Sequence, residues 1–314
     1  MVKRVGTKTV LKSVIFLLFS FLFLLSNGTW STEAIDKTYQ HLVILGDPHL
    51  PGKNIESKKH VIQEINLWDD VDMVIAVGDI CEDRGTAEEY AAAKKFFGRL
   101  NKPLYPIVGN HDYIYDSLLS RDGKRIKGMT ASREAKLRRF RETFGLPTIF
   151  YSKKADSYLL VFLSPDRAEY LTEMSNQQIE WLLSELEKNK KTPTIIFFHA
   201  PLKGTLRDYN SMANTPDFIA QPAGRIHDIL MNNTQVFLWV SGHTHTSPKE
   251  GSFASQINVY AKRITNIHNT DMNRETIWTN SLFLYPDKVI VKTYDHKKGT
   301  WLMEFERIIL PPQL

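Results

Sequence analysis

Five short apolar runs each end in a small set of polar residues, and this recurrence constrains the fold of the 314-residue chain more than any other feature. His41-Leu-Val-Ile-Leu45 leads into Gly46-Asp47-Pro48-His49, Met73-Val-Ile-Ala-Val77 into Gly78-Asp79, and Leu104-Tyr-Pro-Ile-Val108 into Gly109-Asn110-His111. Further on, Thr194-Ile-Ile-Phe-Phe198 ends at His199, and Val236-Phe-Leu-Trp-Val240 at Ser241-Gly242-His243-Thr244-His245. Apolar runs of this length are those of buried strands. Open α/β sheets gather their functional groups where such strands end.

Helices are expected between the runs. Thr86 followed by Glu89 spells a capping box that opens a helix to about Phe97, and Ser175 followed by Gln178 opens another through Trp181, Leu182 and Leu186. Beyond Gly251 the helical pattern stops, and Ile257 to Tyr260, Thr276 to Tyr285, Lys288 to Tyr294 and Trp301 to Ile309 are expected as antiparallel strands, with a hairpin turn at Pro286-Asp287. This order suits an α/β fold with a sheet-on-sheet core and helices outside. No internal repeat or low-complexity linker divides it, so one domain is expected over residues 40–310.

The N-terminus reads differently. Basic residues precede Val14-Ile-Phe-Leu-Leu-Phe-Ser-Phe-Leu-Phe-Leu-Leu25, an apolar run the length of a signal h-region and short for a membrane span. Residues 1–34 are therefore expected to be a signal peptide or an N-terminal anchor, with the domain exported. Residues 1–27 hold Lys3, Arg4, Lys8 and Lys12 and no acid, so the formal charge of +5 falls to 5 − 4 = +1 for the remainder. A nearly neutral body argues against a nucleic-acid partner, and contact with a membrane is expected only through an uncleaved anchor. The single cysteine, Cys81, excludes an intrachain disulfide and is expected to be a buried small residue. Oligomeric state has no signature in the sequence.

The strand-end residues are themselves ligand chemistry. Carboxylate, imidazole and amide donors suit divalent metals such as Mn, Fe or Zn. Asp47, His49, Asp79, Asn110, His199, His243 and His245 are too many for one ordinary site and enough for two ions sharing a bridging carboxylate. Gly46, Gly78, Gly109 and Gly242 each precede a candidate ligand, where a missing Cβ is expected to permit a tight turn. His227 and His268 stand outside the motifs and are expected to be structural.

The motif series resembles that of the calcineurin-like metallophosphoesterases, in particular the cyclic-nucleotide phosphodiesterase-like branch. It stands here as Gly46-Asp-Pro-His49, Gly78-Asp79, Gly109-Asn-His-Asp112, His199 and Gly242-His-Thr-His245. Between motifs, Phe144-Gly-Leu-Pro147, Tyr151 and the Gln178 to Leu183 segment are also similar to that branch. The resemblance implies a four-layer αββα sandwich of two mixed sheets flanked by helices, and hydrolysis of a small phosphomonoester or phosphodiester by a hydroxide bridging two metal ions. It further implies that Asp47, His49 and His245 hold one metal and Asn110, His199 and His243 the other, with Asp79 bridging. His111 would not be a ligand and would assist departure of the alcohol.

Asp112 is left with two roles, orienting His111 or a ligand, or capping backbone. Arg84 is left out of the site, because Gly78-Asp-Ile-Cys-Glu-Asp-Arg-Gly85 is one residue longer than the family's commonest form. Two other functions remain on the same fold: a metal-binding interaction module without catalysis, and a nuclease. Residues 113–154 are rich in bases, Arg121, Lys124, Arg125, Lys127, Arg133, Lys136, Arg138, Arg139 and Arg141 among them. These either bring positive charge to a phosphate or form the solvated face of a helix whose stripe is Leu137, Phe140 and Phe144, the second being the expectation.

Overall fold

A computed structural model describes residue 1, residues 37–207 and residues 212–314. The apolar leader run lies outside the described residues. Residues 38–314 form one compact unit. In chain order its elements are β1 (Gln40–Leu45), α1 (Ile55–Leu67), β2 (Val71–Val77), α2 (Ala87–Phe97), β3 (Leu104–Ile107), α3 (Asn110–Tyr113), α4 (Thr130–Phe144), β4 (Tyr151–Ala155) and β5 (Tyr158–Phe162). There follow α5 (Asn176–Lys188), β6 (Thr194–Phe197), α6 (Ala223–Asn232), β7 (Val236–Ser241), β8 (Val259–Tyr260), β9 (Ile264–His268), β10 (Trp278–Leu284), β11 (Val289–Asp295) and β12 (Thr300–Ile309).

The strands build two mixed six-stranded sheets, ordered β12-β11-β10-β1-β2-β3 and β4-β5-β6-β7-β9-β8. Within the first, β1, β2 and β3 run parallel while β10 pairs antiparallel to β1. Within the second, β5, β6, β7 and β9 run parallel between two antiparallel edge strands. Alternation along each central strand explains why the runs are apolar throughout. On β1, Leu42 and Ile44 face the other sheet while Val43 and Leu45 face the helices; on β7, Leu238 and Val240 face inward and Val236 and Trp239 outward. A strand covered on both faces has no polar side.

Three apolar layers result. Residues of α1, α2 and α4 pack on the first sheet, residues of α5 and α6 pack on the second, and a middle layer including Ile75, Val77, Leu160, Phe162 and Phe197 joins the sheets. This is the four-layer arrangement that the resemblance implied.

Local expectations fared unevenly. Thr86 and Glu89 form the full capping box. Ser175 Oγ accepts from the Gln178 N–H, but the Gln178 side chain turns away to clasp Ser164, accepting from its N–H at 2.8 Å and donating to its carbonyl at 2.6 Å. The hairpin at Pro286-Asp287 is present, closed by the Tyr285 N–H on the Lys288 carbonyl.

The C-terminal segment departs from a purely antiparallel reading. Residues Gln256–Asn258 form a turn of 3-10 helix, leaving only Val259–Tyr260 as strand, and β9 runs parallel to β7. Its Ile264 and Ile267 are wholly buried, whereas a solvated antiparallel strand would alternate. Cys81 is buried and unpaired. His268 is buried with Nε2 on the Thr205 carbonyl, as a structural histidine would be, and the exposed His227 meets the Tyr260 hydroxyl away from the cluster.

Candidate metal centre

The carboxyl ends of β1, β2 and β3 in one sheet and of β6 and β7 in the other converge on one point. Two sets of donor atoms form there, Asp47, His49, Asp79 and His245 in the first, Asp79, His199 and His243 in the second, the atoms of each lying within 4.8 Å of one another. Asp79 belongs to both. Asn110 joins the second through Oδ1, 3.1 Å from His199 Nε2.

The chain reaches this geometry by bending at the donors themselves. Asp47, His49, Asp79, His243 and His245 all have positive φ, between 38° and 63°. Such conformations are disfavoured for residues with a Cβ and persist only where the surroundings enforce them. Here the enforcement is cross-strand: the His49 N–H donates to the Asp79 carbonyl, Met272 N–H to the Asp47 carbonyl, and Gly242 N–H to the His199 carbonyl. The His243 N–H lies 3.0 Å from both oxygens of Asp47.

Of the four glycines, Gly78 makes the expected turn, at a φ of 92°. Gly46, Gly109 and Gly242 are not left-handed; each is glycine because another part of the site presses against it. A Cβ on Gly109 would stand 2.1 Å from the Asp79 nitrogen and 2.3 Å from its Oδ1, and one on Gly242 2.4 Å from Asp47 Oδ2. Gly109→Ala is expected to push Asp79 aside and to cost about 3 kcal/mol, at the upper end of ordinary overpacking because backbone is what it meets. Denaturant unfolding of the metal-free protein measures this.

Each of the four clustered imidazoles is held by one nitrogen and leaves the other facing inward. His49 Nδ1 donates to the Glu82 carbonyl at 3.1 Å, His199 Nδ1 to the Val77 carbonyl at 2.8 Å, and His243 Nε2 to the Asp217 carbonyl at 2.9 Å. His245 Nδ1 faces the Asp271 carboxylate at 3.5 Å, itself bound by Arg274 Nε at 2.6 Å. A carbonyl can only accept, so the tautomer of His49 is set, and its Nε2 carries a lone pair. That lone pair lies 3.3 Å from Nε2 of His245.

Charge is concentrated to match. Burial, opposed by His199 and reinforced by Asp79, pushes the Asp47 carboxyl well above its ordinary range. Asp79 is held well below it, because His199 and then His111 outweigh its burial. His199 lies between them, 3.7 Å from Asp47 and 3.3 Å from Asp79; although burial opposes its charge, Asp79 and Asp47 raise it to about 9. Burial lowers His49 to about 4 and His243 to about 3.

His111 sits apart from both donor sets. Its backbone N–H donates to Asp79 Oδ1 at 2.8 Å, and its ring Nδ1 donates to the Asp83 carbonyl at 2.8 Å, leaving Nε2 at the rim of the cleft, 3.9 Å from Asp79 Oδ2. Asp112 proves to be a backbone cap: it accepts from the N–H groups of Gly109, Ile80 and Cys81 and so ties the second motif to the third. Arg84 turns to the Ser117 carbonyl at 2.7 Å and to Asp83 at 2.8 Å.

Asp271 and the carbonyls of Glu82 and Asp217 were missed from sequence. Asp271 had no comparable signal, since the strand before it, Ile264-Thr-Asn-Ile-His268, is apolar at only two of five positions. The carbonyls have none, because any residue supplies one.

A model of the calcineurin-like phosphoesterase domain matches residues 41–247. None of the curated proteins matches the chain in sequence. Among solved structures, a dimetal phosphatase from Danio rerio is similar at 14% identity and a TM-score of 0.58, over 87% of this chain and 99% of that one. The purple acid phosphatase PPD1 of yellow lupin is similar at 15% identity and a TM-score of 0.56, over 84% of this chain and 52% of the other. GAP50, the anchor in the inner membrane complex of Plasmodium, is similar at 14% identity and a TM-score of 0.54, over 88% and 90%.

Proposed function

The chain belongs to the calcineurin-like phosphoesterase family, and from that premise we propose that its strand-end cluster holds two divalent cations, Mn, Fe or Zn, and hydrolyses a small phosphate ester. Asp47, His49 and His245 would hold one ion, Asn110, His199 and His243 the other, and Asp79 both. The observation that carries this reading is that Asp79 stands in both donor sets, so two candidate cation sites share one carboxylate. His49 Nε2 carries a lone pair and His245 Nε2 lies 3.3 Å from it, close enough for both nitrogens to reach one cation. The elevated His199 supports it too, since a proton there balances two buried carboxylates where a cation would do the same.

When bound, such a pair neutralises charge on the phosphoryl group and acidifies water at the site. This chain's own residues do the rest. The outward nitrogens, fixed by carbonyls and by Asp271, keep the inward donors aimed before any substrate arrives. His111, oriented by the Asp83 carbonyl, presents Nε2 to the leaving oxygen and would deliver a proton to it.

Export is part of the proposal. The basic start and apolar run at Val14–Leu25 support a signal peptide or anchor. Among the described residues no helix is long and apolar enough to cross a membrane.

The decisive experiment purifies residues 38–314, measures metal content, and assays p-nitrophenyl phosphate and bis-p-nitrophenyl phosphate with added Mn. Two metal equivalents and metal-dependent hydrolysis of at least one ester are expected. Two bound metals with no turnover of either ester would overturn the enzyme and favour an interaction module. Recovery of the full-length chain from soluble cytoplasm would overturn export.

A further inference from the structure

Building on the phosphoesterase reading, we propose that Arg125 is the residue of the basic segment that binds the non-bridging oxygens of the substrate phosphate. Two cavities open on the cluster. One, of about 300 Å³, is lined by Asn110, Tyr115, Leu171, Phe218 and His243 among others. The other, of about 670 Å³, is lined by polar residues including Asp83, Thr86, Glu89 and Asn273. His111, His245 and Arg125 line both. Of the nine bases between Arg121 and Arg141, only Arg125 does so.

Neighbouring bases are turned to other acceptors. Lys136 Nζ donates to the carbonyls of Arg84 and Tyr115, Lys127 Nζ to those of Ala168 and Glu169, and Arg133 to that of Gly128. Arg84, the arginine next to the second motif, is held by Ser117 and Asp83.

Arg125 is placed but not saturated. Its guanidinium carbon stands 5.0 Å over the Tyr115 ring, and its Nε lies 3.6 Å from Asp83 Oδ1, while Arg84 engages the other Asp83 oxygen at 2.8 Å. Its Nη1 stands almost equally near both ring nitrogens of His111, 3.1 Å from Nε2 and 3.2 Å from Nδ1. Because Nδ1 donates to the Asp83 carbonyl, Nε2 is the only one of the two with a lone pair to offer Arg125, and the contact is off its axis. A guanidinium has five N–H groups, and Nη2 of Arg125 meets no acceptor among the described residues.

A phosphoryl oxygen entering between the two cavities would meet these donors directly. A charge-assisted bond to an anionic oxygen is stronger than one to a neutral imidazole. Arg125 would therefore pass from His111 to the substrate, freeing the Nε2 lone pair to take a proton from solvent and then hand it to the leaving oxygen. Stacking on Tyr115 limits the side-chain ordering this requires. The contact is to the phosphate rather than to the alcohol, so monoesters and diesters would both depend on it.

The test compares wild type, Arg125→Met and Arg125→Lys in the Mn-loaded full-length protein. Inorganic phosphate is titrated calorimetrically, and KM and kcat are measured with both nitrophenyl esters. Arg125→Met is expected to weaken phosphate binding about 10- to 100-fold, as for loss of a charged hydrogen bond, and to raise KM more than it lowers kcat. The melting temperature should hold, since the side chain is 43% exposed, and Arg125→Lys should recover part of the affinity. Unchanged phosphate affinity in Arg125→Met, or a fall in kcat with KM intact, would overturn the proposal. If wild type binds phosphate through Arg125 but hydrolyses neither ester, the phosphoesterase reading fails while the assignment of Arg125 as a phosphate-binding residue stands.

Discussion

Asp79→Asn is expected to lower turnover by on the order of 10³-fold or more, about 4 kcal/mol of lost transition-state stabilisation, and to reduce bound metal from two equivalents to one or none. The substitution keeps the shape of the side chain and removes the charge shared by both donor sets. It also separates charge from fold. Asp79 raises the Asp47 carboxyl through repulsion and accepts the His111 backbone N–H. An asparagine oxygen can still accept that bond, but the charge that pairs with His199 at 3.3 Å and is held well below the ordinary carboxylate range is lost, so the metal-free variant should melt below the wild-type temperature at neutral pH. Metal analysis, kinetics and melting of the metal-free protein together check this; an unchanged metal count would remove Asp79 from the bridging position.

His111→Asn should reduce turnover by roughly 10²- to 10⁴-fold, the range for loss of a positioned general acid, while both metals remain bound. The reason is geometric. His111 lies outside both donor sets and is steered by the Asp83 carbonyl toward the rim, where it meets Arg125 and packs edge-on against His49. Esters with better leaving groups need less proton donation, so the deficit should shrink as the leaving alcohol becomes more acidic. If the variant instead loses a metal, His111 is a ligand and the division of roles collapses.

Strand-end reasoning reached the convergent residues because each motif is local: an apolar run, a break and a donor within a few positions. The order of strands in the two sheets followed no such local rule. β10 reaches β1 across more than two hundred residues of chain, and β9 joins the parallel set although the segment beyond Gly251 reads as antiparallel. With two apolar residues in five, β9 does not read as a strand, and Asp271 at its end was missed with it. The basic segment was expected to be the solvated face of a helix, and the stripe of Leu137, Phe140 and Phe144 does pack on the core. Lys136, however, is buried, and Arg125 lies outside that helix at the cleft.

From the sequence alone came the donors, their number and the strand ends that carry them, since a run apolar on both faces must be covered and its polar break must fall at an edge. Only the tertiary structure decided what those donors became. Two sheets had to meet before Asp79 could face both sets, before three glycines proved necessary through close contact rather than left-handed turns, and before backbone carbonyls could aim the imidazoles. These are distances between residues remote in the chain, which local periodicity does not encode.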